Sequence, residues 1–129
     1  MAPGTVTPPP TPTPTPTPTP SPVYDTAEYN RSNAAASAGA IAAYEDGATG
    51  AGVKIAVIDS GVDIQSAEFA GRIDSASRDI AGARSVDDTD GHGTSVSAVA
   101  LAAKNDSGIH GLAFDATLGG GEGPYAPGT

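Results

Sequence analysis

The chain has 129 residues, with six basic side chains against fifteen acidic ones, a net charge of -9 and no cysteine. That balance argues against nucleic acid and anionic membrane surfaces as partners, because phosphate recognition needs clustered Lys and Arg. The absence of cysteine excludes a disulfide framework and a thiolate metal site, which leaves protein or peptide as the partner class.

The opening residues Met1-Ala2-Pro3-Gly4-Thr5 lack the basic and apolar regions of a signal peptide, so no address is visible, although an upstream start would hide one. No apolar run approaches the roughly 20 residues of a membrane-spanning helix. Ten of the twelve prolines lie between Pro3 and Pro22, in a Thr-Pro alternation that removes backbone donors and favours polyproline II. Residues 1–23 therefore read as a disordered linker, a stalk whose roughly 20 residues would extend about 60 Å. Pro9-Pro10-Thr11-Pro12 also fits an SH3-type groove, but no basic residue flanks it, and the spacer reading is preferred.

From Tyr24 the composition changes. Asn33 to Asp46 is rich in Ala, with Ser32 or Asn33 available as N-cap and Gly47 placed to follow the last turn, which predicts one helix. Val53 to Ile58 follows a glycine-rich turn. Five of its six residues are apolar and four are β-branched, as in a parallel strand covered on both faces. A short strand is expected near Ile73 to Ile80. His92 to Lys104 predicts a second helix, with Asp90 and Gly91 before it and Asn105-Asp106-Ser107-Gly108 after it. Ile109 to Leu118 fits a turn and the start of another strand, and Gly119-Gly120-Gly121-Glu122-Gly123-Pro124 is expected to end any strand pattern.

Two residues stand out chemically. Asp59 directly follows the first strand, at the carboxyl end where catalytic groups gather in α/β sheets, although Asp59-Ser60-Gly61 is also ordinary turn chemistry. A nucleotide-binding or phosphoacceptor Asp of another doubly wound fold is a third reading, weakened because no glycine-rich phosphate loop follows that strand. His92 opens a helix between Gly91 and Gly93, which leave room for a substrate at the imidazole. A strand end and a helix start can meet at one sheet edge, where a carboxylate would orient the ring and leave its other nitrogen as a base.

Val57-Ile58-Asp59-Ser60-Gly61-Val62-Asp63 and Asp90-Gly91-His92-Gly93-Thr94-Ser95-Val96 resemble the Asp and His motifs of the subtilisin-like serine peptidases (peptidase S8). The match continues through Gly108-Ile109-His110-Gly111-Leu112-Ala113-Phe114-Asp115-Ala116 and covers about Ala34 to Leu118. More weakly, the stalk with Tyr24-Asp25-Thr26-Ala27-Glu28-Tyr29 resembles exported, autotransporter-associated members. The resemblance implies an α/β fold, here an incomplete subtilisin-like parallel sheet with flanking helices over residues 24–118, and residues 119–129 as a glycine-rich divergent tail. It also implies peptide-bond hydrolysis, with Asp59 orienting and His92 acting as general base. Export or cell-surface display is suggested by family and stalk alone.

The family's nucleophile sits in a Gly-Thr-Ser-Met-Ala type segment, and no such segment follows His92. The chain is therefore expected to be truncated before the nucleophile and inactive alone, and its status as an enzyme is left open. Gly93-Thr94-Ser95 belongs to the His motif, so Ser95 is expected to be structural, and Ser60 and Ser107 to be turn residues. Oxyanion and specificity residues cannot be assigned. Asp88-Thr89-Asp90-Gly91 resembles part of an EF-hand, but Val86 and Ser97 occupy two required ligand positions, so a solvated acidic loop is expected. No cofactor or metal ligand is assigned; structural calcium occurs in the resembled family without residues that carry over here. His110 reads as a loop residue. The alternative function is a non-enzymatic, peptidase-like binding module displayed on the proline-rich stalk.

Overall fold

The structure, a computed structural model, describes residues 4–14, 23–82 and 84–122. Residues 4–14 are exposed and carry neither helix nor strand, and the rest of the expected stalk, like residues 123–129, lies outside the described residues. Mixed short helices and a three-stranded parallel sheet make up the folded part, in agreement with an incomplete subtilisin-like α/β fold.

Three short helices come first: α1 (Ala27–Asn30), α2 (Asn33–Ser37) and α3 (Ala40–Glu45). The Thr26 hydroxyl accepts the Tyr29 N–H at the start of α1, and the Ser32 hydroxyl accepts that of Ala34 at the start of α2, each satisfying an orphan donor. The single helix expected over Asn33 to Asp46 is broken at Gly39, whose φ of 64° is left-handed and cannot continue a right-handed helix. The break lets Ala35, Ala40 and Tyr44 pack with Tyr29 and Phe114 in one buried cluster. Burial pushes the Tyr44 phenol up to about 12, with Tyr29 adding to the effect, and its hydroxyl donates to the Leu112 carbonyl at 2.9 Å. His110 sits among these rings, 3% exposed, with Tyr29, Tyr44 and Phe114 at centroid distances of 5.5, 5.9 and 5.2 Å.

The sheet holds β1 (Lys54–Asp59), β2 (Arg78–Asp79) and, between them, β3 (Thr117–Glu122). β1 and β3 run in register from Lys54 opposite Thr117 to Asp59 opposite Glu122, and Arg78 and Asp79 pair with Gly121 and Glu122. The glycine run thus does not end the strand, correcting the sequence expectation. Sheet pairing uses backbone N–H and C=O groups, which glycine retains, and β1 pairs with all three glycines. The strand expected near Ile73 to Ile80 shrinks to Arg78–Asp79 and an isolated bridge between Ile73 and Leu118, because a turn at Asp74 intervenes, its carboxylate accepting the Ala76 N–H and its carbonyl the Ser77 N–H.

Helix α4 (His92–Leu101) packs on β1 and β3. It stops three residues short of the expected Lys104, because Ala102 turns extended at ψ 144° and Ala103 donates to the Glu68 carbonyl. Leu101, Phe69, Val62, Ala116 and Leu118 form the second core cluster, with Ile55 and Val57 packed against it from β1. Each fully buried Leu or Phe contributes about 1.5–3 kcal/mol. Among the described residues the opposite face of β1 is uncovered: Ile58 is 68% exposed and Ile80 beside it 52%. The expectation of burial on both faces is corrected accordingly, since α4 covers one face and no described element covers the other.

Candidate active site

β1 ends on Asp59 and α4 begins on His92, so the fold itself carries a carboxylate to the start of a helix. Their approach is close. His92 Nδ1 lies 2.7 Å from Asp59 Oδ1 and 2.9 Å from Oδ2. An ionised carboxylate only accepts, so Nδ1 carries the proton and, in the neutral ring, Nε2 holds the free lone pair. The imidazole is 69% exposed against 20% for the carboxylate, and no described residue hydrogen-bonds to Nε2.

The electrostatics follow from this contact. The hydrogen bond to Asp59, reinforced by that carboxylate's charge and more weakly by Asp90 and Asp88, raises the His92 pKa above its ordinary value of 6.5. The His92 hydrogen bond, together with the Ser60 N–H, holds Asp59 below the usual carboxylate range. Each partner favours the charged form of the other.

A second layer surrounds the pair. The Ser60 N–H donates to Asp59 Oδ1 at 2.7 Å, while the Ser60 hydroxyl donates to Asp88 Oδ1 at 2.9 Å and accepts the Gly93 N–H at 2.9 Å. Asp88 also accepts from the N–H groups of Asp90, Gly91 and Thr94 and from the Thr94 hydroxyl. Burial opposes ionisation of Asp88, but these hydrogen bonds outweigh it and set its pKa far below the ordinary range. The Thr94 hydroxyl in turn accepts the Asp63 N–H at 2.9 Å.

The expectation of a solvated acidic loop therefore fails at Asp88, whose carboxylate is spent on its own loop, on Ser60 and on Thr94. Sequence reasoning missed this role. The signal was present in Asp88-Thr89-Asp90-Gly91, where an Asp followed by a tight glycine turn commonly folds back onto the next N–H groups. No group of three or more His, Cys, Asp or Glu side chains converges on a metal-binding geometry among the described residues. With Asp88 so engaged, a calcium cradle does not fit this loop.

The serines separate as follows. The Ser95 hydroxyl donates to the Gly91 carbonyl at 2.9 Å within its own helix, and Ser107 lies in a turn, its N–H donating to the Asn105 side chain. Ser60 is a turn residue with a larger part, since it touches Asp59, Asp88 and Gly93. His110 belongs to the aromatic cluster, where its Nδ1 faces the Gly111 carbonyl at 3.1 Å.

The parallel α/β sheet thus sets a strand-end carboxylate against a helix-start imidazole. The family model of the subtilase family, peptidase S8, matches residues 50–128. Two proteins described as extracellular serine proteases of Serratia marcescens are each 37% identical over 99 residues, covering 74% of this chain. The chain belongs to the subtilase family. It spans 9% of the length of those two relatives.

Proposed function

We propose that Asp59 and His92 are the orienting carboxylate and the general base of a serine endopeptidase acting on protein substrates. The observation that supports this best is the 2.7 Å contact between His92 Nδ1 and Asp59, with Nε2 open to solvent. In that arrangement Nε2 takes the proton of an attacking hydroxyl and returns it to the leaving amine. Asp59 meanwhile holds the tautomer and stabilises the imidazolium. The N-terminus of α4 opposes positive charge on the ring, so the carboxylate is needed to offset it.

The nucleophile in this reading is a serine outside the 129 residues, because Ser95 is turned into its own helix and no other serine here lies in the family's nucleophile motif. The chain by itself then performs no acyl transfer. Export is part of the proposal, carried by the relatives' extracellular description and by the Thr-Pro stalk. No described helix is long and apolar enough to cross a membrane.

A fluorophosphonate probe tests the assignment. On the protein isolated from its source cells it is expected to label a serine outside residues 1–129, and His92→Ala lowers that labelling by about 10²- to 10⁴-fold. Labelling of Ser95, or peptide hydrolysis undiminished in both His92→Ala and Asp59→Ala, would overturn it.

A further inference from the structure

The His92 ring is held by little of its own. It is largely exposed, its one side-chain hydrogen bond among the described residues is to Asp59, and glycines flank it on both sides. Gly91, at φ 97°, has backbone freedom that other residues lack. Something else must restrain that backbone if the ring is to stay within hydrogen-bonding distance of Asp59.

The hydrogen bonds around Ser60 supply the restraint. Gly91 donates its N–H to Asp88 Oδ1 at 2.8 Å, and Gly93 donates its N–H to the Ser60 hydroxyl at 2.9 Å. The Asp90–Gly91 peptide, one residue before His92, and the His92–Gly93 peptide after it are thus tied to two side chains that are bonded to each other at 2.9 Å. The same Ser60 donates its own N–H to Asp59 Oδ1, fixing the carboxylate. On the far side, Asp88 Oδ2 takes both the N–H and the hydroxyl of Thr94, anchoring the first turn of α4.

We propose that Ser60 and Asp88 form a positioning bridge that sets the Asp59 carboxylate and the His92 imidazole in register, a role that rests on the pair being the peptidase's carboxylate and base. Neither residue touches the reacting atoms. Ser60 reaches Asp59 and the N–H of Gly93, the residue after His92, and Asp88 holds Ser60 and the loop that precedes His92. Removing the Ser60 hydroxyl frees the Gly93 N–H and takes one of three donors from Asp88 Oδ1 while leaving every charge in place.

That last point makes the bridge separable from simple electrostatics. The charged groups that face His92 are Asp59 from β1 and Asp88 and Asp90 from the loop before α4. Ser60→Ala alters none of them. The test is an NMR titration of the His92 ring nitrogens in the 129-residue chain, comparing the parent with Ser60→Ala, Ser60→Thr, Thr94→Val and Asp59→Asn. The buried His110 ring reports in the same spectra that the fold is intact.

Asp59→Asn is expected to lower the His92 midpoint by about one pH unit or more. Ser60→Ala and Thr94→Val are expected to lower it by about half a unit and to weaken the Nδ1-bound proton signal. Ser60→Thr, which keeps the hydroxyl, restores both. If Asp59→Asn shifts the midpoint while Ser60→Ala and Thr94→Val leave it in place, the bridge is refuted and the pair stands. If Asp59→Asn itself has no effect, the pairing fails and the bridge with it.

Discussion

Gly93 and Gly61 meet backbone to backbone: a Cβ on Gly93 would stand 2.2 Å from the Gly61 carbonyl oxygen and 3.2 Å from Asp59 Cβ. The first turn of α4 can approach the end of β1 this closely only because Gly93 carries no side chain. Gly93→Ala forces the helix away from the strand, since the atom 2.2 Å away is backbone and cannot swing aside as the end of a flexible side chain could. A destabilisation of about 2–3 kcal/mol is expected from urea unfolding. The His92 midpoint should fall at the same time. A variant as stable as the parent would show that the helix start is looser than this packing requires.

The Asp59–His92 pair makes stability depend on pH in a defined sense. His92 has a raised pKa, so its contribution is complete below the unfolded value of about 6.5 and is lost as pH rises through the folded value. Asp59 has a lowered pKa, so its contribution is present above the unfolded value and disappears as pH falls through the folded one. The two windows overlap in mildly acidic solution. There the urea midpoint of the parent should exceed that of Asp59→Asn by the largest margin, with the margin narrowing in alkali. A margin independent of pH would mean that the pair is not ionised as a unit.

Glu28 on α1 is only 2% exposed, and its two carboxylate oxygens accept the N–H groups of Asn105 and Asp106, each at 3.0 Å. This contact ties the N-terminal helices to the loop after α4. Glu28→Ala leaves both donors unpaired, and a loss of about 1–3 kcal/mol is expected from thermal or urea unfolding. Hydrogen exchange should localise the loss to residues 105–108. Unchanged protection there would show that the loop is held by other contacts.

Arg72 acts as a staple at the rim of the second core cluster. Its guanidinium donates to the carbonyls of Ala116 at 2.8 Å, Leu101 at 2.7 Å and Glu68 at 2.5 Å, joining the approach to β3, the end of α4 and the 3₁₀ turn at Ala67–Phe69. Lys keeps the charge but not the planar fork, so Arg72→Lys satisfies fewer of these acceptors. A cost of about 1–3 kcal/mol is expected in urea unfolding. Parity between the two chains would mean that a flexible ammonium or water serves all three carbonyls equally well.

Much of the candidate site was legible because its signals are local. The apolar run ending at Asp59 and the helix opening at His92 each follow from short segments, and the structure brings them to 2.7 Å. What was not legible depended on single backbone angles or on partners distant in sequence. Gly39 breaks an alanine-rich segment whose composition favours a continuous helix. Gly119 to Gly121 lie in the central strand with no side-chain pattern at all, because backbone pairing holds them, with β1 along their whole length and with Arg78 at Gly121. Ile58 reads as buried from its hydrophobicity but is 68% exposed, since no described residue covers that face. Asp88 reads as a surface acid until Ser60, 28 positions earlier, is placed beside it.

The central claim is that Asp59 holds the His92 proton on Nδ1 and leaves Nε2 as the base. Nitrogen-15 NMR of the imidazole across its titration tests this directly. The account predicts a midpoint above 6.5 and, once the ring is neutral, a protonated Nδ1 with the lone pair on Nε2. A neutral ring protonated on Nε2, or a midpoint at or below 6.5, would contradict it.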